Sequence, residues 1–115
     1  MKKIEAIIRK SKFDEVKEAL HASGIDFFSF WEVTGIGRAR ESRVYRGIAY
    51  DTGSIERLLL SIVVRDINLD RTIQTILSSA KTGEVGDGKI FVSGIEESYR
   101  IRTEEKGDDS LYIKE

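Results

Sequence analysis

The residues with the clearest chemical potential lie in one glycine-rich stretch, Thr82-Gly83-Glu84-Val85-Gly86-Asp87-Gly88-Lys89-Ile90-Phe91-Val92. Glycine has no Cβ, so the backbone can turn sharply there and bring its N–H groups close to a ligand. Successive N–H groups that face one concavity bind anions, and a neighbouring lysine adds a point charge for phosphate. The stretch predicts either a phosphate-binding loop or a simpler structure, a helix C-cap at Gly83 followed by a turn into a strand.

The same stretch is not a P-loop, although Gly83 to Lys89 fits the spacing G-x-x-x-x-G-K. Ile90 stands where a P-loop needs Ser or Thr for magnesium. A P-loop also follows a strand and begins a helix, whereas this stretch follows a helical pattern and precedes a strand pattern.

Composition excludes several functional classes. A chain of 115 residues predicts one domain, residues 1–115. With 19 basic and 20 acidic residues the net charge is -1, which gives no electrostatic basis for binding nucleic acid or an acidic membrane. Cysteine is absent and His21 is the single histidine, which removes thiolate and histidine-cluster metal sites and argues against a Ser-His-Asp triad. No apolar run approaches the roughly 20 residues of a membrane span, so we expect a cytoplasmic protein.

The chain alternates between strand and helix patterns. Strand composition or alternation marks four segments, residues 3–9, 25–37, 56–65 and 89–93. Apolar residues recur at helical spacing in two others. The first helix would be capped by Ser11 and end at Gly24, and the second, capped by Asn68, would carry a stripe of Leu69, Ile73, Ile76, Leu77 and Ala80.

The order β-α-β-loop-β-α-β is the split βαβ, ferredoxin-like pattern (βαββαβ) of an α+β fold. Helices cover one face of such a sheet, and the other face, with Ile7, Leu59 and Val63, needs a cover because large apolar patches rarely stay exposed. We expect a homo-oligomer packed through its sheets. The segment of residues 38–55 lacks an apolar pattern, which is typical of functional or mobile loops. The tail from about residue 104 to 115 is predicted to be flexible.

Several runs resemble the P-II nitrogen regulatory signal-transduction proteins, over residues 1 to about 110. The run Thr-Gly-x-x-Gly-Asp-Gly-Lys-Ile-Phe is highly specific to that family. The matching runs are Met1-Lys2-Lys3-Ile4-Glu5-Ala6-Ile7-Ile8, Phe13-Asp14-Glu15-Val16-Lys17-Glu18-Ala19-Leu20, Gly35-Ile36-Gly37-Arg38, Tyr45-Arg46-Gly47, Thr82-Gly83 with Gly86-Asp87-Gly88-Lys89-Ile90-Phe91-Val92, and Arg100-Ile101-Arg102-Thr103.

This resemblance implies a homotrimer of ferredoxin-like subunits that binds ATP or ADP in the clefts between neighbours. It implies a regulator and not an enzyme, with no catalytic residues. The glycine loop would cradle the phosphates beside Lys89, and Arg100 and Arg102 would reach them across the interface, since arginine can bind phosphate bidentately. The implied nucleotide-binding residues are Ile7, Ser29, Gly35, Ile36, Gly37, Arg38, Val63, Gly86, Asp87, Gly88, Lys89, Arg100 and Arg102.

The resemblance also implies that residues 38–55 form the T-loop, which docks onto a target such as an ammonium transporter or an enzyme of nitrogen metabolism. Contact with a membrane would arise through a transporter partner. With one residue deleted in the loop, Tyr50 falls where many relatives are uridylylated. Arg46 falls where a relative inserts an arginine into an ammonium channel.

Two positions depart from relatives that sense 2-oxoglutarate. Where those relatives use a glutamine to ligate the magnesium between ATP and 2-oxoglutarate, this chain has Ala39, which offers no ligand atom. A lysine that pairs with the 2-oxoglutarate carboxylate is replaced by Arg57, which keeps the charge but not the shape. Mg²⁺ demands near-octahedral oxygen ligation, so the loss of an oxygen ligand should weaken 2-oxoglutarate sensing. We still expect ATP or ADP to bind, as the resemblance implies.

Two alternatives stay open. One is a P-II-like sensor of another ligand, such as bicarbonate, AMP or a cyclic nucleotide, which the change at Ala39 favours. The other is an RNA-binding module, because RNA-recognition motifs share this topology and Trp31 and Phe91 could stack on bases. The net charge of -1 and the missing Lys/Arg-Gly-Phe/Tyr signature argue against it.

Overall fold

The chain folds around an antiparallel sheet that carries both helices on one face, which confirms the α+β, ferredoxin-like prediction. The computed structural model describes residues 1–36, 43–45, 48–50 and 54–113, and for residues 43–45, 48–50 and 54 it describes the backbone alone. The elements are β1 (Lys2–Ile8), α1 (Phe13–Ala22), β2 (Ser29–Ile36), β3 (Arg43–Tyr45), β4 (Ile48–Tyr50), β5 (Ser54–Val64), α2 (Leu69–Ala80) and β6 (Lys89–Gly94).

The main sheet has the strand order β2-β5-β1-β6, with all neighbours antiparallel. At one end of β1, Lys2 pairs with Val64 and Gly94. At the other end Ile8 pairs with Leu58, and the preceding residue of β1 pairs with Lys89. We refer to these as the Lys2 end and the Ile8 end of the sheet.

The core lies between the sheet and the two helices. Alternate residues of β1 and β5 point into it, as the alternating patterns of residues 3–9 and 56–65 predict, and α1 and α2 close it from above. The buried apolar side chains are Ile4, Ala6, Ile8, Val16, Leu20, Ile25, Leu58, Leu60, Ile62, Val64, Ile76 and Ala80. Within the predicted stripe of α2, Leu77 is instead 47% exposed.

The aromatic run after α1 divides between the two sides of the sheet. On the helix side Phe30 packs against Phe13 and Phe28, with ring centroids 4.5 Å and 6.3 Å away. Trp31 is 47% exposed on the opposite face, where it pairs with Leu59. The open face of the sheet therefore contains an aromatic side chain.

The end of α1 explains why β2 begins at Ser29 and not at Ile25, as the composition of residues 25–37 predicts. Gly24 has φ +83°, its N–H donates to the His21 carbonyl at 3.0 Å, and the N–H of Ile25 donates to the Leu20 carbonyl at 2.9 Å. This is a Schellman motif, and it draws Ile25 into the core as part of the helix ending. The predicted helix end at Gly24 is confirmed.

The predicted cap at Ser11 is wrong, whereas Asn68 has the predicted N-cap position but makes no capping hydrogen bond. Ser11 lies inside a 3-10 turn, Lys10–Lys12, and α1 begins after Lys12 without a side-chain cap. Asn68 is at the N-cap of α2, but its Oδ1 accepts a hydrogen bond from Arg71 Nη2 at 2.9 Å and caps no backbone N–H. Because α2 ends at Ala80, Gly83 is not its C-cap either.

The predicted loop of residues 38–55 contains two short paired strands, β3 and β4, in which Val44 pairs with Ala49. β5 begins at Ser54, so the last two residues of the predicted loop belong to the main sheet. Beyond the sheet, residues 107–111 form a 3-10 turn that the side chain of Arg100 contacts. Flexibility of the tail stays a prediction.

We expect Ile4→Ala to lower the free energy of unfolding by about 2–5 kcal/mol, because it would leave a cavity in a fully buried position. Ile67→Ala is the matched control, since that side chain is 81% exposed, and it should change the value by less than about 0.5 kcal/mol. Urea unfolding at one fixed protein concentration measures both. Equal losses in the two variants would contradict this core.

Candidate functional site

The carboxylate of Asp87 organises the glycine-rich loop between α2 and β6. Its Oδ2 accepts hydrogen bonds from the backbone N–H groups of Thr82 and Gly83, each at 2.9 Å. Its Oδ1 accepts one from Arg9 Nε at 3.0 Å and a short one from the Thr82 hydroxyl. The Thr82 hydroxyl and amide, followed by Arg9 and Gly83, hold the pKa of the Asp87 carboxyl well below its usual range. Because its oxygens are used in this way, Asp87 supports the loop.

Two arginines from neighbouring strands hold the other side of the loop. Arg9, directly after β1, donates through Nη2 to the Val85 carbonyl at 3.0 Å. Arg57 on β5 donates through Nε and Nη2 to the Gly86 carbonyl at 3.2 Å and 3.0 Å. Burial, and then the nearby charge of Arg9, lower the pKa of Arg57. The Arg57 guanidinium thus connects the glycine-rich loop to β5, the strand that follows residues 38–55.

Sequence reasoning did not identify Arg9, because nothing in its local pattern distinguishes it from other strand-end cations. A signal was nevertheless present in the predicted topology. In a ferredoxin-like sheet β1 lies beside the last strand, so the residue after β1 faces the loop before β6. An arginine there, opposite the acidic residue of a glycine-rich loop, is a candidate loop anchor.

The backbone of the loop requires glycine at two positions. Gly88 has φ +105°, and a Cβ there would lie 1.7 Å from the Ile7 carbonyl oxygen, so the loop packs directly on β1. Gly86 has φ +100°, and a Cβ would lie 3.1 Å from Arg57 Nη2. The requirement for glycine at position 88 is therefore explained by the turn into β6 alone. It is also compatible with a ligand-binding loop, because such a loop needs a fixed backbone.

Some polar groups of the loop have no role in holding it. In the described part of the chain, the hydrogen bonds that hold the loop do not use the amide groups of Val85 and Gly86. The Lys89 side chain is exposed and has no hydrogen-bond or ion-pair partner among the described residues. Amide groups without a partner and an unpaired ammonium group are the chemical groups that bind an anion such as phosphate in loops of this kind.

A hollow of about 560 Å³ adjoins the loop on the helix side of the sheet. Its walls include Leu77 and Ile90, and Lys81 and Lys89 also line it. Among the residues predicted to line the base and ribose, Ile7 is the only described one that also lines this hollow. The predicted base site is therefore a different surface, on the open face of the sheet.

The residues predicted to line the base lie at different positions along the strands, between the Ile8 end and the Lys2 end of the sheet. Gly35 pairs with Ile55 towards the Ile8 end, next to Ile36, which is 92% exposed. Val63 lies eight residues further along β5 and pairs with Lys3, so at the usual strand rise it is about 26 Å from Ile55. Ile7 pairs with Leu59, one residue from the Ile8 end, whereas Ser29 pairs with Ser61 at the middle of the sheet.

The predicted cations are separated in the same way. Lys89 begins β6 at the Ile8 end, whereas Gly94 ends β6 at the Lys2 end, where the N–H of Ile95 donates to the Met1 carbonyl at 3.1 Å. Arg100 and Arg102 follow that end, and a strand the length of β6 spans about 17–20 Å. Across the described residues no hydrogen bond or ion pair joins these arginines to the glycine loop.

The predicted site residues thus form two groups in one subunit. The Ile8 group comprises Ile7, Gly35, Ile36 and Gly86 to Lys89, and the Lys2 group comprises Val63, Arg100 and Arg102, while Ser29 lies midway between the two ends. Gly37, Arg38, Ala39 and Arg46 lie outside the described residues, and for Tyr50 the backbone alone is described, in β4.

Comparison with known proteins agrees with this architecture. A model of the family described as nitrogen regulatory protein P-II matches residues 1–105. The chain is similar to the nitrogen regulatory protein P-II of Cereibacter sphaeroides, with 44% identity, and to those of Rhodospirillum rubrum and Azospirillum brasilense, with 46% identity each. Each alignment spans 112 residues, 96% of this chain and 100% of the relative. The chain belongs to the P-II family.

Membership of the P-II family makes this chain a signal-transduction regulator of nitrogen metabolism. In the described part of the chain, no helix is long and apolar enough to cross a membrane. The same residues contain no group of three or more His, Asp or Glu side chains that could hold a metal ion.

We expect Gly88→Ala to destabilise the protein by about 1–3 kcal/mol, because the added Cβ meets the β1 backbone and the positive φ disfavours a side chain. Gly94→Ala is the matched control at the other end of β6, where a Cβ would meet no atom within 4 Å. Urea unfolding at fixed concentration compares them. A Gly88→Ala protein as stable as the control would contradict the close packing of this loop.

We also expect the Asp87 carboxylate to make stability depend on acid pH. Its folded pKa is depressed, so its contribution is complete above about pH 4, the usual pKa of an unfolded aspartate, and is lost as the pH falls below that value. The difference in unfolding midpoint between the wild type and Asp87→Asn should therefore shrink as the pH is lowered. A difference that does not change with pH would overturn this assignment.

Proposed function

We propose that this chain is a homotrimeric P-II regulator that binds ATP or ADP in the clefts between subunits. It reports nucleotide state through the T-loop, residues 38–55, to a target such as an ammonium transporter or an enzyme of nitrogen metabolism. It acts by binding its target and carries no catalytic site. A regulator of this kind works in the cytoplasm, where we expect to find it.

The observation that carries the proposal is the separation of the predicted site into two groups at opposite ends of one sheet. Because Gly35 and Val63 lie about 26 Å apart along the strands, and Lys89 and the arginine segment lie at opposite ends of β6, one subunit does not bring all these residues around a single nucleotide. Two subunits that place the Ile8 end of one against the Lys2 end of the other complete the site. Lys89 then approaches the phosphates from one side and the arginine segment from the other.

The open face of the sheet supports the oligomer. It combines Ile7, Leu59 and Val63 with Trp31, which is 47% exposed, and Phe91, which is 55% exposed. The register places these side chains on the face opposite the helices, because residues two apart in a strand share a face. An apolar surface of this kind in a 115-residue chain favours burial against further copies of the chain.

The Ile8 end also offers a route from the nucleotide to the T-loop. Ile36 and Ser54 pair there, so the described strands that flank the T-loop end side by side. Arg57, three residues after Ser54, contacts the Gly86 carbonyl of the phosphate-loop candidate. Ligand binding at the glycine loop therefore acts on the base of the T-loop and biases its conformations.

Weak binding of 2-oxoglutarate is part of the proposal. Ala39 supplies no oxygen for magnesium, and the Arg57 guanidinium already donates to the Gly86 carbonyl and, through Nη1, to the Glu56 carbonyl at 2.9 Å. A cation engaged in this way is less available to a ligand carboxylate than a free lysine.

Isothermal titration with ATP and ADP tests the nucleotide site. We expect saturable binding near one nucleotide per subunit, and a loss of affinity of about 10–100-fold in Lys89→Met, because a charge-assisted contact to phosphate is removed. Lys17→Met on the exposed side of α1 is the control and should bind like the wild type. Absence of binding by the wild type would refute the proposal and would direct the search to bicarbonate, AMP and cyclic nucleotides.

Addition of Mg²⁺ and 2-oxoglutarate to the same titrations tests the loss of nitrogen sensing. The wild type should show little change in ATP affinity, and Ala39→Gln should gain synergy between ATP and 2-oxoglutarate, because the amide restores an oxygen donor for magnesium. Strong synergy in the wild type would show instead that another residue replaces the missing ligand.

A further inference from the structure

Two glutamates on neighbouring strands lie on the helix side of the sheet, towards its Ile8 end. Glu32 on β2 pairs with the buried Leu58 of β5. Glu56 lies two residues before Leu58 and pairs with Thr34. Residues two apart in a strand share a face, so the two carboxylates are diagonal neighbours on one face. Like charges in such positions repel each other, which weakens the pairing of β2 with β5 unless a cation lies near them.

Lys10 supplies that cation. Its Nζ is 2.8 Å from Glu32 Oε1 and 3.4 Å from Glu56 Oε2. The contact with Glu32 is the largest of the causes that raise the pKa of the Lys10 ammonium group. Lys10 begins the 3-10 turn that follows β1, Lys10–Lys12. One ammonium group from the end of β1 thus joins the side chains of β2 and β5.

The residue before Lys10 holds the glycine-rich loop. The backbone of Arg9 is extended, with φ -66° and ψ 139°, so successive side chains point to opposite sides of the chain there. Arg9 donates to Asp87 Oδ1 and to the Val85 carbonyl, each at 3.0 Å. Two consecutive residues therefore contact different parts of the subunit, Arg9 the loop and Lys10 the strands β2 and β5.

The strand ends that Lys10 joins are those that flank the proposed T-loop. Ile36 and Ser54 form the last pair of these strands, and Glu56 follows Ser54 by two residues. On β5, Arg57 makes a second connection to the glycine-rich loop, through the Gly86 carbonyl. Lys10 extends the connection to β2, through its contact with Glu32.

We propose that Lys10 is a positioning residue for the strand ends that flank residues 37–53. It holds Glu32 and Glu56 together, and through its neighbour Arg9 it connects their strands to the glycine-rich loop. The use of this connection in signalling rests on the proposed nucleotide function. The effect of Lys10 on the pairing of β2 with β5 does not.

Hydrogen exchange measured by mass spectrometry on the full-length protein without nucleotide tests the positioning role. We expect Lys10→Met to raise exchange in residues 32–36 and 54–58 about twofold to fivefold, as the loss of exposed ion pairs would. Lys10→Arg should stay near the wild-type rate, because it keeps the charge. Lys12→Met is the matched control, since Lys12 lies in the same turn but pairs with Glu15 of α1, and it should leave exchange in these strands unchanged.

Salt separates the charge of Lys10 from its packing. The difference between the wild type and Lys10→Met should disappear in about 1 M NaCl, where the Debye length is about 3 Å. Unchanged exchange of both strands in Lys10→Met would overturn the proposal. An increase spread equally over the whole sheet, β1 and β6 included, would also overturn it, because it would indicate a general loss of stability.

The same measurement with saturating ATP tests the connection to the loop. We expect ATP to protect residues 32–36 and 54–58 in the wild type, and to protect them less in Lys10→Met by about twofold or more. Equal ATP-dependent protection in the two proteins would overturn the connection. If the wild type binds no ATP in the titrations, the proposed function fails, and the exchange without nucleotide decides the role of Lys10.

Discussion

The site depends on one ionic contact, between Arg9 and the Asp87 carboxylate. This contact joins the end of β1 to a loop 78 residues later, and the same carboxylate gathers the Thr82 and Gly83 amides. A loop that exposes amide groups for a ligand cannot use them for its own folding, so side chains have to hold it. The loop is held by Arg9 and Arg57, which bind its carbonyl oxygens, and by Asp87, which binds the amide groups at its start. The amide groups of Val85 and Gly86, and the Lys89 ammonium, are thereby left available.

The antiparallel register then determines how a binding site can be assembled. β1 and β6 run in opposite directions, so the start of β6, with Lys89, and the segment after β6, with Arg102, must lie at opposite ends of the sheet. Side-chain reach cannot cover this separation, since even a short strand is about 17–20 Å long. The proposed site, which uses both cations, therefore requires two chains. In that proposal nucleotide binding would favour oligomerisation, because a ligand that binds the assembled form stabilises it by mass action.

Sequence reasoning recovered the parts of this fold that depend on periodicity. The alternation in β1 and β5 and the glycine stop of α1 are properties of local backbone geometry and side-chain partition, and they needed no knowledge of the tertiary structure. The start of β2 was misplaced because Ile25, β-branched and apolar, is drawn into a helix ending by its long-range packing. Ser11 is not the N-cap of α1, and Asn68 at the N-cap of α2 makes no capping hydrogen bond, because the chain enters both helices through 3-10 turns. At the site, glycines and Lys89 could be found from residue type and spacing. The local pattern did not identify Arg9, and Arg57 was noted only as the replacement of a lysine, because the structural role of both lies in contacts to a distant loop.

The roles of the arginines show why residue type alone is a weak guide to function. A guanidinium is present in Arg57, Arg100 and Arg102. In Arg57 and Arg100 it donates hydrogen bonds to backbone carbonyl groups. A guanidinium that donates to carbonyl oxygens is partly shielded from water and makes directed contacts, so it restrains the chain around it. One that remains solvated keeps its donors for an anion that arrives later. For Arg100 and Arg102, position in the turn of residues 100–105 decides between the two, since the base faces the rest of the subunit and the tip faces outwards. Ile101, beside Arg102, is 96% exposed, so this turn presents an apolar side chain as well as a cation to solvent.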